Sequence, residues 1–424
     1  MDCHSEVTYG LTSLAPDHPA RPKSPCHRAR HRARSRFAHG EIQRLQRCGH
    51  RNTGGEFLAQ ATIPLRYPLA VVRTMLVLVI SLLYLVTVQG ACLLLLPLPP
   101  LYDFITHILT YALGRTALFI LGLFWIPVDY TTRKRGSVQY LVISPAASSN
   151  QRRRKNVKDA IAWNPKAGDL IVSNWASWIE IVWLAIRFNP IFVVPIPEKD
   201  VSFSNASGGS PIAYRPGRRT GTGSANINQV SRTQTQRIPI AGFKKASLWE
   251  MIMSTGYAPS PRGSETVHSL EEIRKSSRRP LVVFPECTSS NARGLLRFAD
   301  VFKKDVPIKG YNVHVLCVRY DPPTAMTPTP SHSIPSGILN PLPHVFTLAT
   351  SLSPVAISVR LLPLAESPSS QLFVASEIVS GDPDEDQLAE SCAVLIAQIG
   401  KLKRTGKGWE DKTSLLELYF GRKK

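Results

Sequence analysis

A charge-free, strongly apolar stretch runs from residue 74 to residue 101. Within it, TMLVLVISLLYLVTVQGACLLLLP (74–97) is long enough to cross a hydrocarbon core at about 1.5 Å per helical residue. Pro97, Pro99 and Pro100 then predict a break. A second span is expected at about 104–128. TALFILGLFWIPV is its most apolar part, and His107 and Arg115 interrupt it. Arg66 and Arg73 precede the first span, and Arg133, Lys134 and Arg135 follow the second, so both flanks are expected on the cytosolic side. The pair predicts a membrane-anchoring helical hairpin over 67–130, either crossing the bilayer or dipping into one leaflet.

From about 137 the pattern shortens. VQYLVIS (138–144), GDLIVSNWAS (168–177), PIFVVPI (190–196), LVVF (281–284), YNVHVLCVRY (311–320) and AISVRLLPL (356–364) read as strands. Apolar runs without alternation suit parallel strands covered on both faces. Between them WIEIVWLAIRF (178–188), ASLWEMIMSTG (246–256) and LEEIRKSS (270–277) have helical spacing, and further helices are expected near 385–403 and 412–420. The alternation predicts an α/β fold over 131–424, a mainly parallel sheet flanked by helices. Two polar inserts interrupt it. Residues 200–240 are rich in Ser, Thr, Gly and Arg, and about 321–344 are rich in Pro. RRTGTG in the first insert lacks the G-K-[ST] ending of a phosphate-binding P-loop. Residues 345–353 are expected to pack on the membrane or on the core.

Residues 1–66 have no periodicity and are rich in Arg, densest in HRARHRARSR (27–36). No apolar h-region precedes a cleavage site, and Asp2, Glu6 and Asp17 argue against a mitochondrial presequence. A disordered basic tail is the expectation. The whole chain carries a net charge of +21. That excess suits nucleic acid, an anionic membrane or an anionic substrate. The apolar spans favour the last two, and no nucleic-acid signature is present. The seven cysteines form no C-x-x-C pair and no metal-ligand spacing. Reduced thiols facing the cytosol are expected, with no metal.

The densest candidate chemistry follows the strand LVVF. Pro285 ends it, and Glu286, Thr288, Ser289, Ser290, Asn291 and Arg293 come next. Ligands in open α/β sheets bind beyond the carboxyl ends of strands. Hydroxyls, backbone N–H groups and an Arg suit a phosphate there. An ordinary solvated corner would carry the same residue types. A second polar corner, Asn174-Trp175-Ala176-Ser177-Trp178-Ile179-Glu180, ends the strand at 168–177 and opens a helix.

FPECTSSNAR (284–293) resembles the FPEGT(T/R)SNGR block of the glycerophospholipid acyltransferase (PlsC-like) family, and LLRF-x-x-x-F continues the likeness. Cys287 and Ala292 stand where the family has Gly. NWASWIE (174–180) falls where that family has N-H-x-x-x-x-D, with Asn174 and Ser177 matching, Glu180 at the Asp position and Trp175 at the His position. The family's His is a general base, and an indole N–H cannot accept a proton. SNWASWIEIVWLA, the polar insert, VRLLP and LIAQIGKLKRTGKGWEDK are most similar to the fungal lysophosphatidic acid:oleoyl-CoA acyltransferase subgroup, which also carries a vacuolar-protein-sorting name.

The resemblance covers about 100–424. It implies a membrane enzyme of the endoplasmic reticulum and lipid droplets, with a cytosolic catalytic domain. That enzyme would move a fatty acyl group from acyl-CoA to a lysophospholipid, lysophosphatidic acid first. Acyl-CoA is a co-substrate, and no cofactor is implied. Glu180 and Trp175 would be the catalytic pair. Asn174, Ser177, Glu286, Thr288, Ser289, Asn291 and Arg293 would bind substrate, Arg293 the phosphate. The base could be Glu180 itself, a substrate phosphate, or a histidine from elsewhere, with His314 and His268 as candidates. An inactive lipid-binding relative is the second expectation, since Trp175 replaces the His. A trafficking scaffold acting through its tail and inserts is the third.

Overall fold

The computed structural model describes residues 63–134, 137–140, 163–200, 237–261, 267–324, 327–337, 339–371, 373–374 and 386–421. Most of the basic tail, the basic link at 151–155 and nearly all of the 200–240 insert lie outside the described residues.

The first apolar run forms helix α1 (Ile63–Tyr84), which continues as a π-turn to Gly90 and a 3-10 turn to Leu95. The helical run Pro64–Leu95, of mean hydropathy 2.5, is long and apolar enough to cross a membrane, and it alone is so among the described residues. Helix α2 (Pro99–Ile120) opens on two prolines, which suit a first turn because it has no N–H partners to lose. The expected second span is thereby corrected. The helix ends at Ile120, and the remaining residues extend into strand β1 (Val128–Lys134), paired antiparallel with β2 (Ser137–Tyr140). Of the expected strand at 138–144, residues 141–144 lie outside the described set.

The remaining elements follow in order. They are β3 (Leu170–Ser173), α3 (Trp178–Phe188), β4 (Ile191–Pro197), β5 (Ile240–Ala246), α4 (Leu248–Ser254), α5 (Leu270–Ser276) and β6 (Leu281–Val283). Then come β7 (Gly294–Leu295), β8 (Val313–Tyr320), α6 (Leu342–Ala349), β9 (Ile357–Leu361), α7 (Gln387–Gly400), β10 (Lys403–Arg404) and α8 (Trp409–Gly421). Eight strands form one mixed sheet in the order β2-β1-β9-β8-β3-β6-β4-β5. Its centre, β8-β3-β6-β4, is parallel throughout. Antiparallel pairs lie outside it, β9 on β8 and β5 on β4. β5 borders the polar insert and was not foreseen.

Successive side chains of the central strands enter opposite cores. Ile171, Val282 and Leu316 join the layer of α1, α2, α3, α4 and α6. Leu170, Val172, Val283 and Val315 join the layer of α5, α7 and α8. This two-sided burial explains why the strands lack alternation in the sequence.

The apolar helices are docked onto the sheet domain. Gly114 lets α2 lie close to α3, where a Cβ would meet Ile186 Cγ1 at 3.0 Å. α1 lies against α6, and Arg73 donates to the carbonyls of Ala349 (3.2 Å) and Ser351 (2.7 Å) at the end of that helix. Arg66 donates to Thr350 O at 3.1 Å. Carbonyls at a helix C-terminus lack intrahelical partners and favour cations. The segment 345–353 therefore packs on α1 and the core, and helix α6 begins inside the stretch expected to be a Pro-rich insertion.

Candidate functional site

Two corners meet beyond the carboxyl ends of the parallel strands β3 and β6. The first is Ser173–Ser177. Ser177 caps α3, and Glu180 completes the reciprocal capping box. Glu180 Oε1 accepts from the backbone N–H of Ala176 and of Ser177 (3.1 Å), and Oε2 accepts from the Tyr320 hydroxyl. Burial pushes the Glu180 carboxyl up to about 8, and its three donors pull the other way. Both oxygens already accept, so Glu180 holds the corner in shape.

Asn174 faces β8. Its Nδ2 donates to Val318 O (3.0 Å), and its Oδ1 accepts from Val318 N (2.8 Å). It ties β3's end to the neighbouring strand. Trp175 is buried and stacks on Phe284, ring centroids 5.1 Å apart. Its indole N–H has no partner among the described residues.

The second corner is Pro285–Arg293. Glu286 is fully buried and joins the corners: Oε2 accepts from Trp175 N (2.7 Å) and Oε1 from Leu296 N (2.8 Å). Burial pushes its carboxyl up to about 8. Ser290 N donates to Trp175 O at 2.7 Å, closing the junction. Thr288 Oγ1 donates to Tyr257 O (2.8 Å), and Ser289 Oγ donates to His332 O (2.6 Å). Asn291 and Arg293 are exposed on the outer rim, where Asn291 Oδ1 accepts from Arg293 N (3.1 Å). The corners thus bring together Trp175, Ser177, Glu180, Glu286, Thr288 and Ser289, and leave Asn291 and Arg293 outside.

Cys287 and Ala292 have φ of 57° and 59°. These are the positions where the resemblance expects Gly, and both take the left-handed backbone that Gly adopts most readily. Burial pushes the Cys287 thiol well up, which argues against a thiolate nucleophile.

Three further groups at the site had no signal in the sequence. Lys412 of α8 is buried, and its Nζ donates to Thr288 Oγ1 (2.7 Å) and Ser289 O (2.6 Å). Burial lowers its ammonium to about 7, with Glu286 opposing. The small parallel sheet of β7 with β10, and the bond from Arg297 N to Lys407 O (2.8 Å), bring the C-terminal segment here. The other two are His332 and Asn340, from the Pro-rich insertion, whose Nε2 and Oδ1 lie 2.6 Å apart. The expected histidines lie elsewhere. His314 is in the core, its Nε2 3.5 Å from Asp169 and its ring edge-on to Trp163. His268 is half exposed and pairs with Phe243 across a β-bridge.

Two cavities adjoin the corners. One, of about 280 Å³, is almost wholly apolar and lies between α1, α2, α3, α4 and the start of α6. The other, of about 530 Å³, is lined by Trp175, Cys287, Lys244, Tyr257 and Ser254 among others. Trp249, Met253 and Asn340 line both. An apolar space beside the membrane-length helix thus adjoins a larger, more polar space at the corners. No family model, curated protein or solved structure matches the chain.

Proposed function

We propose that this chain is a membrane-bound acyltransferase of the PlsC-like fold. It transfers a fatty acyl group from acyl-CoA to a lysophospholipid, lysophosphatidic acid first, giving phosphatidic acid. The observation that carries this reading is the pair of adjoining cavities. An acyl chain suits the apolar one, bordered by α1 and α2, and a headgroup suits the larger, more polar one beside Trp175 and Cys287, where Lys244 also lies. A cavity lined by the membrane-length helix suits two amphiphilic substrates that reside in or at a bilayer. The resemblance of the two corners to the family's blocks supports the same reading. So does the way Glu286 locks them together.

In this reading α1 and α2 anchor the protein, at the endoplasmic reticulum and lipid droplets, with the sheet domain in the cytosol. Glu286 fixes the junction. Lys412 braces the Thr288–Ser289 turn, and Arg293 on the rim attracts the acceptor's phosphate. Trp175 walls the larger cavity. The holding of two reactants at one junction is itself a large part of such catalysis.

A second reading is favoured by Trp175. A residue without a basic nitrogen stands at the family's base position, beside a carboxylate already committed to capping. A lipid-binding protein without acyl transfer would keep such a pocket.

The test is acyl transfer from labelled oleoyl-CoA to lysophosphatidic acid in membranes of a host lacking its own acyltransferases. Wild type is expected to be active. Arg293→Ala should raise the acceptor KM about tenfold, the loss of one charge-assisted bond. Glu286→Ala, which leaves two buried N–H groups unpaired, should abolish activity. An inactive wild type that still binds the lysolipid would establish the second reading.

A further inference from the structure

We propose that His332 is the general base that Trp175 cannot be, held for that task by Asn340. The inference rests on the acyl-transfer reading above and adds to it the residue that takes the proton.

Four observations carry it. First, the backbone of His332 is tied to both corners. Its N–H donates to Ala176 O at 2.8 Å, and its carbonyl accepts from Ser289 Oγ at 2.6 Å. Although far along the chain from both corners, it lies against the residue that follows Trp175. Second, the ring's tautomer is fixed. Asn340 Nδ2 donates to Met253 O (2.8 Å) and Thr255 O (2.7 Å), so Oδ1 is the atom turned to the imidazole, and it also accepts from Ser336 N (3.1 Å). An amide oxygen only accepts, so His332 Nε2 must carry the proton at 2.6 Å from it. The basic lone pair is then on Nδ1, which has no partner among the described residues. Third, Asn340 lines both cavities, so His332, itself buried, stands directly behind a residue of the junction where acyl chain and headgroup would meet.

Fourth, the neighbouring imidazole is excluded by its bonds. His344, 4.7 Å away ring to ring, accepts at Nδ1 from Trp178 Nε1 (3.0 Å), and its Nε2 faces Thr329 O (3.1 Å). Neither nitrogen is left for a substrate. A second histidine fixed in this way keeps the first in place and supplies no base of its own.

The step balances without a co-reactant. As the acceptor oxygen attacks the thioester carbonyl, its proton passes to His332 Nδ1. The new C–O bond forms, the C–S bond breaks with its electron pair on sulfur, and the proton is returned to the departing coenzyme A thiolate. The imidazolium formed in between keeps its Nε2–H on Asn340 Oδ1. An orienting amide beside a catalytic imidazole fixes which nitrogen faces the substrate.

The test uses the full chain in detergent-solubilised form, with oleoyl-CoA and lysophosphatidic acid. His332→Ala removes the ring while leaving both backbone bonds. His332→Gln keeps an N–H donor toward Asn340 but has no basic nitrogen. Unfolding midpoints establish that the variants fold. Both are expected to lose about 100-fold or more in kcat with little change in KM, the usual span for a lost general base. Added imidazole is expected to restore part of the His332→Ala rate and none of the wild-type rate. His332→Gln retaining kcat within about threefold of wild type overturns the proposal while leaving acyl transfer standing. A folded His332→Ala that is slow and not rescued by imidazole also overturns it, because the ring then only packs. An inactive wild type removes the acyl-transfer reading and this inference together.

Discussion

At residue scale the most informative positions are Cys287 and Ala292. Both carry a Cβ on a left-handed backbone, which costs an L-residue about 1–2 kcal/mol. Replacing Ala292 by Gly relieves that cost. It also adds about 0.4–1 kcal/mol of unfolded-chain entropy, and it removes a buried methyl worth roughly 0.8 kcal/mol. The terms nearly cancel. Ala292→Gly is therefore expected to change unfolding free energy by less than about 0.5 kcal/mol. Ala292→Val, β-branched at φ 59°, is expected to cost about 2 kcal/mol or more. Denaturant titration of both variants checks this, and a Gly variant losing more than about 1 kcal/mol would show that the methyl's packing outweighs the backbone. The corner's left-handed turns were legible in the sequence only through a resemblance in which Gly holds those places. The residue types themselves, Cys and Ala, gave no local sign of positive φ.

At element scale the close approach of α2 to α3 decides whether the apolar helices belong to the sheet domain. A Cβ on Gly114 would lie 3.0 and 3.1 Å from Ile186 Cγ1 and Cδ1 and 3.5 Å from Val182 Cγ1. These are side-chain tips, so they yield a few tenths of an ångström. Gly114→Ala should be nearly neutral, the crowding offset by about 1 kcal/mol of helix propensity. Gly114→Leu cannot be absorbed in that way. It should cost about 1–3 kcal/mol by overpacking, and under the proposed function it should depress acyl transfer because Gly114 lines the apolar cavity. Paired melting and activity measurements on the two variants check the direction. If Leu is as silent as Ala, α2 does not hold this contact.

The legibility of the elements follows the same physics. Strands β3, β4 and β6 were readable because burial on both faces leaves an unbroken apolar run, and β8 because its residues alternate. β1 and β5 were not, because polar and basic residues break any such run in them, whereas β2 overlaps the stretch read as a strand at 138–144. The site was half legible. Its corners are contiguous polar stretches, but Lys412 lies 124 residues from Thr288, and His332 and Asn340 come from a stretch whose prolines read as a loop. Which distant loop closes over a corner is fixed by tertiary packing and has no local period.

At the scale of the whole molecule, the buried titratable groups give stability a definite dependence on pH. Glu180 and Glu286 have carboxyls raised to about 8 by burial, against about 4.5 in the unfolded chain. The folded state therefore holds protons there that the unfolded state has released. Stability from these two groups is fully present below about pH 4.5 and is lost as pH rises toward 8. Lys412 acts in the opposite sense. Its folded value of about 7 lies below its ordinary 10.5, so the unfolded state binds the extra proton, and stability rises with pH between those values. From pH 5 to 7 the two carboxyls dominate, each with a slope of up to about 1.4 kcal/mol per pH unit. Below about 6.5 His344, lowered by burial to about 4 from its ordinary 6.5, opposes them, and His332 is lowered in the same sense. Between 7 and 8 the opposing slopes partly cancel. Unfolding midpoints in detergent should thus fall from pH 5 to 7 and flatten above 7. Glu286→Gln, which cannot titrate, should remove half of the fall or more. An unchanged slope in that variant would mean that Glu286 stays ionised in the folded corner. Its two backbone donors and Lys412 would then outweigh its burial, and the junction that joins the two corners would be held by a charge instead of a neutral acid.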